Sequence, residues 1–300
     1  MSILAIGLSV YDITLSLEEE LIIDQKYRVR ERYECVGGQA SNAACVCAKW
    51  QKETYMLSRI GDDASGRAIL ASYDEVGLKC DHVKMLPRFS TSSSVIINHR
   101  DSGKRTILNH QDKIEEIDFD LPKKAEYILF DAHEESAAID AIAKFPDAIK
   151  MLDAERASAF TLKLAPDMDY IVGSEVFAKE YTNLDVIDEN YEAIVHKIKS
   201  LNHKNVVITL GERGLIYEEN NMVKQVPAFN VKVVDTTGAG DIFHGALLYA
   251  ISEQMKWQDS LVFASIASAL SVQKQGGFTS IPTLKEIKDA WNTYKNTGTI

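Results

Sequence analysis

The segment Asp235-Thr236-Thr237-Gly238-Ala239-Gly240-Asp241 concentrates the chemistry of this sequence. It follows the apolar pair Val233-Val234 and precedes a helix-compatible run from Ile242 to Ser252, so it is expected to turn a strand into a helix. Gly238 and Gly240 let a ligand approach the backbone closely, and the first free N–H groups of the helix, from Gly238 through Ala239 and Gly240 to Asp241, then face it. Such a helix start attracts phosphate through unsatisfied donors and the helix dipole. Asp241 is out of place in a simple anion hole, because its charge repels the anion. A carboxylate there has a use if it takes the proton of an attacking hydroxyl, which is worth about 10²–10⁴ in rate. The plain alternative is a helix cap.

Those residues need a scaffold, and the rest of the chain supplies its pattern. Ile3 to Leu8 is a continuous apolar run, as in a parallel strand covered on both faces. Similar short runs recur at 55–57, 127–130, 149–152, 170–172 and 205–210. Helical spacing occupies Ser41 to Trp50, Ala64 to Val76, Glu134 to Lys144, Tyr191 to Leu201 and Ile242 to Ser252. Strands alternating with helices predict a doubly wound, mainly parallel α/β sheet flanked by helices. Two stretches break the rhythm: Tyr11 to Tyr33, and Thr91 to Asn109 with a turn at Asp101-Ser102-Gly103, both read as hairpins. The chain is therefore expected to form one domain over 1–300, with a small β-sheet lid inserted at about 11–35 and 90–110. Ligands of open α/β sheets bind at the carboxyl ends of the strands, under such a lid.

Composition excludes more than it proposes. With 33 Lys+Arg against 44 Asp+Glu in 300 residues, the net charge is −11, and no basic stripe offsets it, which argues against a nucleic-acid partner. The apolar start lacks a preceding basic residue and is interrupted by Asp12 and Glu18-Glu19-Glu20, unlike a signal peptide. Ser260 to Gln273, the longest uncharged stretch near the C-terminus, is too short to span a membrane. Four cysteines are too few for a disulfide scaffold; Cys45 and Cys47 match no zinc spacing and read as buried free thiols. A cytoplasmic protein with small-molecule ligands is expected. His110, His133 and His244 also lack metal spacing and read as structural or surface residues. Arg28, Arg30 and Arg32 alternate along one predicted lid strand, as a solvated face or a contact to an anionic substituent. A dinucleotide fingerprint is absent after the first strand, where Gly7-Leu8-Ser9-Val10-Tyr11-Asp12 stands.

With these residues in view, the chain resembles the ribokinase-like, or PfkB, carbohydrate kinases. Their C-terminal signature, Asp-Thr-x-Gly-Ala-Gly-Asp, is complete, and Gly37-Gly38-Gln39-Ala40-Ser41-Asn42 is similar to their Gly-Gly motif. Gly7 to Asp12, Ile60 to Gly66 and Thr209 to Gly214 are similar to further family segments. The resemblance implies a ribokinase-like fold and transfer of the ATP γ-phosphoryl group to a sugar hydroxyl, with Asp241 as base. It implies Asp12, Gly37, Gly38 and Asn42 on the sugar, Arg105 reaching sugar or γ-phosphate from the lid, and Ser174, Thr209, Gly211 and Gly214 on the nucleotide. Magnesium would enter with ATP. Phe177 stands where the family carries a magnesium-linked Glu, so Glu175 is the substitute candidate; Asp235, with the Gly276-Gly277 loop, is the candidate for a monovalent cation such as K⁺. The stretches 37–42, 92–107 and 172–178 are most similar to ketohexokinase-type ketose kinases, pointing to a fructose-like substrate. A kinase for an anionic sugar (phosphosugar, sulfofructose or keto-deoxy sugar acid) is the alternative, and a catalytically silent nucleotide or sugar sensor a second one. Lid sheets of this kind also imply a homodimer.

Overall fold

Every residue from Ile3 to Ile6 is buried, Ile3 and Ala5 against one layer of helices and Leu4 and Ile6 against the other. That is why an unbroken apolar run forms a strand here: successive side chains alternate faces, and both faces are covered. The computed structural model describes residues 1–29, 31–99, 104–113 and 116–300, without the side chains of His99, Lys104 and Arg105. In chain order the elements are β1 (Ser2–Ile6), β2 (Val10–Leu17), β3 (Arg32–Gly37), α1 (Gln39–Lys49), β4 (Glu53–Gly61), α2 (Ala64–Val76), β5 (Lys79–Leu86), β6 (Ser93–His99), β7 (Lys104–His110), β8 (Tyr127–Phe130), α3 (Glu135–Lys144), β9 (Ile149–Ala154) and α4 (Ala159–Leu164). Then follow β10 (Tyr170–Ser174), α5 (Glu175–Thr182), α6 (Tyr191–Lys199), β11 (Asn205–Thr209), β12 (Leu215–Glu219), β13 (Met222–Val226), α7 (Ala239–Ser252), α8 (Trp257–Ser271), α9 (Gly277–Ser280) and α10 (Leu284–Thr297).

The main sheet has the order β13-β12-β11-β10-β9-β8-β1-β4-β5. It is parallel from β11 to β5 and ends in an antiparallel hairpin, β12–β13. The chain winds outward in one direction through β4 and β5, and in the other from β8 to β11, so the winding reverses between β1 and β8. That reversal opens a crevice at the carboxyl ends of the two strands. A second sheet, β3-β2-β6-β7, is assembled by parallel pairing of β2 with β6. It leaves the main body beside Asp63, whose carboxylate caps α2 at Gly66 N (2.8 Å) and accepts from Thr91 N (2.9 Å) and Thr91 Oγ1 (2.7 Å). Among the described residues no helix is long and apolar enough to cross a membrane.

Three expectations fail in detail. No strand precedes Gly238: residues 227–238 are irregular, and Val233 and Val234 are exposed. The amides of Val234 and Asp235 donate to Val272 O at the end of α8 (2.7 and 3.2 Å), and this β-branched pair joins no strand among the described residues. The stretch Tyr11 to Tyr33 does pair as an antiparallel hairpin, β2 against β3, but it is strand only at its ends, because the solvated Glu18-Glu19-Glu20 run starts a loop. The three arginines therefore do not share a strand: Arg28 lies exposed in that loop, Arg32 opens β3 paired with Glu34, and Arg30 lies outside the described residues.

Candidate active site

Helix α7 begins without a side-chain cap. Gly238 is its N-cap at φ 71°, and Asp241, in the first turn, makes no capping bond, which removes the plain reading of that carboxylate. Gly240 has open space where a Cβ would stand. A Cβ on Gly238 would lie 2.8 Å from the Gly277 Cα, so the glycine allows the α7 and α9 loops to touch. Asp241 Oδ2 accepts from Asn42 Nδ2 at 2.7 Å. Burial, then the nearby charge of Asp153, pushes the Asp241 carboxyl up to about 7, against the opposing effects of the Asn42 bond and His244. A carboxylate of that basicity is poised to exchange a proton near neutral pH.

The partner side of the crevice is built by β2, β3 and α1. Asp12 on β2 is 8% exposed, and burial pushes its carboxyl up to about 6 against a hydrogen bond from Ser94. The two glycines after it are dictated by space. A Cβ on Gly37 would sit 2.0 Å from Asp12 Oδ2, and one on Gly38, at φ 96°, would sit 2.2 Å from Leu8 O. Asn42 is 3% exposed; its Oδ1 has no hydrogen-bond partner among the described residues, although its amide holds Asp241. A buried acceptor left open beside a raised carboxylate suits a hydroxyl-bearing ligand. Asp131, just past β8, locks the crevice floor by accepting from Leu8 N (2.8 Å), at the end of β1, and Ala40 N (3.2 Å), in α1. Gly7 makes room for it.

Asp235 serves as a clamp: Oδ1 accepts from Thr237 N (2.9 Å) and Thr237 Oγ1 (2.7 Å), and Oδ2 from Gly276 N (3.0 Å). It ties the loop before α7 to the loop before α9, where the notion of a monovalent cation placed it.

Farther along the same sheet edge, Ser174, Glu175, Thr209, Gly211 and Arg213 line an open cavity of about 470 Å³. Gly211 faces open space, while Gly214, at φ 90°, is required by Val226 O, 2.0 Å from where a Cβ would stand. Ser174 Oγ accepts from Phe177 N (3.0 Å) as the α5 cap and donates to Glu155 O (2.7 Å); Thr209 Oγ1 donates to Gly173 O (3.3 Å). Their hydroxyls thus shape the cavity wall. Glu175, the candidate metal ligand, is paired with Arg213, which also donates to Val186 O and Tyr191 Oη (both 2.9 Å). Phe177 is wholly buried and stacks on Tyr181. Among the described residues no group of three His, Cys, Asp or Glu could hold a metal ion. The side chain of Arg105 lies outside the described residues.

Sequence reasoning missed Asp131, Asp153 and the placement of His244. Asp153 and His244 are both buried, with His244 Nδ1 3.3 Å from Asp153 Oδ2. Only the short strand-like runs before Asp131 and Asp153, the second interrupted by Lys150, signalled that two acids would stand at strand ends.

The comparisons with known proteins decide the family. Residues 1–284 match the model of the pfkB family carbohydrate kinases. The chain belongs to the pfkB family of carbohydrate kinases. A Lactococcus lactis ribokinase is 31% identical over 264 residues, covering 84% of each chain, and a Schizosaccharomyces pombe ribokinase 31% over 281 residues, covering 87% of this chain and 88% of its own. A Salmonella typhi deoxyribokinase and a rice fructokinase-1 match at 25% and 26%. A solved structure from Agrobacterium tumefaciens has a TM-score of 0.89 at 25% identity over 98% of both chains. This pfkB member is an ATP-dependent carbohydrate kinase of ribokinase-like fold.

Proposed function

We propose that this kinase phosphorylates a hydroxyl of a neutral, furanose-type sugar, ribose first among them, with Asp241 as general base. The observation that carries the mechanism is the Asp241 carboxylate held at 2.7 Å by Asn42 at the uncapped start of α7. Asp241 accepts the proton of the attacking hydroxyl, the new oxygen–phosphorus bond forms as the γ-phosphorus leaves the β-phosphate oxygen, and ADP departs. The N–H groups from Gly238 to Asp241 carry the charge of the transferring group; positioned donors and electrostatics are what phosphoryl transfer needs. Asp12 and Asn42 Oδ1 orient the sugar hydroxyls beside Gly37 and Gly38, and Arg105 closes from β7. Ser174, Thr209, Gly211 and Gly214 frame the nucleotide.

Magnesium fits as an ion held by the ATP phosphates and water, which is its usual habit, because Glu175 is taken by Arg213 and no carboxylate cage exists among the described residues. A potassium requirement centred on Asp235 rests on the resemblance. The second sheet acts as the lid of this single domain, and its exposed Tyr33, Ile107 and Leu108 support a homodimer through that sheet.

The ribose reading draws on the two ribokinases at 31% identity. A ketose such as fructose is the second reading, favoured by the rice fructokinase-1. An anionic sugar is disfavoured, because Arg32 is already paired with Glu34 and Arg28 lies in a loop with Glu18, Glu19 and Glu31. ADP release over a panel of ribose, deoxyribose, fructose, phosphosugars and sugar acids tests the substrate. Ribose is expected to give the highest kcat/KM, a phosphosugar optimum refutes the neutral-sugar reading, and silence across the panel supports a sensor. Asp241→Asn is expected to lose about 10²–10⁴ in kcat while still binding ATP; unchanged turnover refutes the base.

A further inference from the structure

His244 lies one turn beyond Gly240 and Asp241 on α7 and is 5% exposed. Three oxygens surround its ring: Gly240 O at 2.7 Å and Asp153 Oδ2 at 3.3 Å from Nδ1, and Val172 O at 3.3 Å from Nε2. Neither backbone carbonyl has a proton to give, and the contact to Gly240 O is the shorter of the two, so the one proton of the neutral ring belongs on Nδ1 and Nε2 faces Val172 O without one. The Nδ1–H thus fastens the ring to the first turn of α7, with Asp153 of β9 and Val172 of β10 beside it.

The Gly240 carbonyl belongs to the same rigid peptide plane as the Asp241 N–H. Holding the oxygen from the carboxyl side of the helix aims that N–H backward, out of the helix start. Gly240 has no Cβ and open space where one would be, so no side-chain packing at Gly240 itself holds this plane. We propose that His244 is a positioning residue for phosphoryl transfer: its Nδ1–H locks the Gly240–Asp241 peptide plane so that the Asp241 N–H meets the transferring phosphate. The assignment rests on the function proposed for Asp241. The bond calls for a donor and not for a charge, in keeping with a site where burial pushes His244 toward its neutral form and Asp153 toward its protonated one.

The deciding experiment compares His244→Asn with His244→Leu, which share a γ-branched shape and differ in the amide donor. The Asn variant is expected to keep kcat within about 3-fold, and the Leu variant to lose about 10–100-fold in kcat with both KM values changed less than about 3-fold, since only a transition-state contact is misaimed. A purely structural role would lower the melting temperature of both and leave the kcat values alike, and equal kcat in the two variants overturns the proposal. If the variants do not fold, ¹⁵N-histidine spectra of the wild-type chain decide, with the His244 signal found by replacing the other histidines: an Nδ1-protonated ring supports the hold on Gly240, and an Nε2-protonated one refutes it. Asp241→Asn separates the two levels. Full turnover in that variant removes the base itself, whereas its loss together with equal Asn and Leu variants at 244 removes only the role of His244.

Discussion

Asp241 and Asp12 are the two carboxylates whose burial matters most, and they set opposite demands. As the proposed base Asp241 would work only when ionised, and its carboxyl is pushed up to about 7, so kcat/KM is expected to rise with pH through an apparent pKa near 7 and level off above it. A pH–rate profile flat between pH 5.5 and 8 would contradict this. Asp12 is also raised, to about 6, so the folded state holds that proton more tightly than the unfolded chain does. The stabilisation this gives is full below the unfolded value, 3.8, and is lost as pH rises through about 6, leaving a buried charge at neutral pH. Asp12→Asn should therefore raise stability at pH 7.5 by about 1–3 kcal/mol while raising the sugar KM at least about 10-fold. Chemical denaturation at pH 5 and 7.5 checks it, since a gain independent of pH would not come from ionisation.

Elements place these residues through their ends. Asp12, Asp131, Asp153, Ser174 and Thr209 all stand in or just past strands, while Asn42 and Asp241 sit in first helical turns. The tightest joint is the turn into α1, where Gly38 has φ 96° and Leu8 O blocks any side chain. Gly38→Ala combines strain with a backbone clash and is expected to cost more than about 1 kcal/mol and to displace Asn42. A thermal melt within 1 °C of wild type would show that the turn can relax. Not all joints were readable. The β12–β13 hairpin turns through Asn220 and Asn221, both at positive φ, a turn chemistry visible in the residues but absent from the expected pattern of strands and helices. The capping box of Thr283 and Glu286 announced α10 equally plainly. The strand expected at Val233-Val234 fails for the opposite reason: local β propensity is real there, but the amides of Val234 and Asp235 bond to the end of α8 and not to a strand.

At the scale of the molecule, the two sheets divide the labour. The nine-stranded sheet, covered by helices on both faces, provides the fixed strand ends, and the four-stranded sheet brings Asp12 against them from the side. The clamp at Asp63 and Thr91 lies where the second sheet departs, so closure of a lid would pivot there. Hydrogen exchange is expected to slow in β2, β3, β6 and β7 when sugar and an ATP analogue bind together. Equal exchange with and without ligands would leave the second sheet a fixed wall. With a net charge of −11, the molecule offers ATP no broad positive surface, so under the proposed mechanism the helix start, with magnesium on the phosphates, would have to supply the attraction.

The sequence by itself determined the periodic elements of the core and the residues proposed for the anion hole, because burial on both faces leaves an unbroken apolar strand and because a backbone kept open to a ligand leaves glycines. It also announced that Asp241 was odd, since a like charge beside a phosphate site calls for a reason. The tertiary structure alone decided that Asn42 reaches Asp241 across 199 residues, that Glu175 is spent on Arg213 and Asp235 on its loops, and that His244 stands behind Gly240. Those facts depend on which acceptor a side chain finds in space. Hydrogen bonds between distant elements leave no periodicity in the chain.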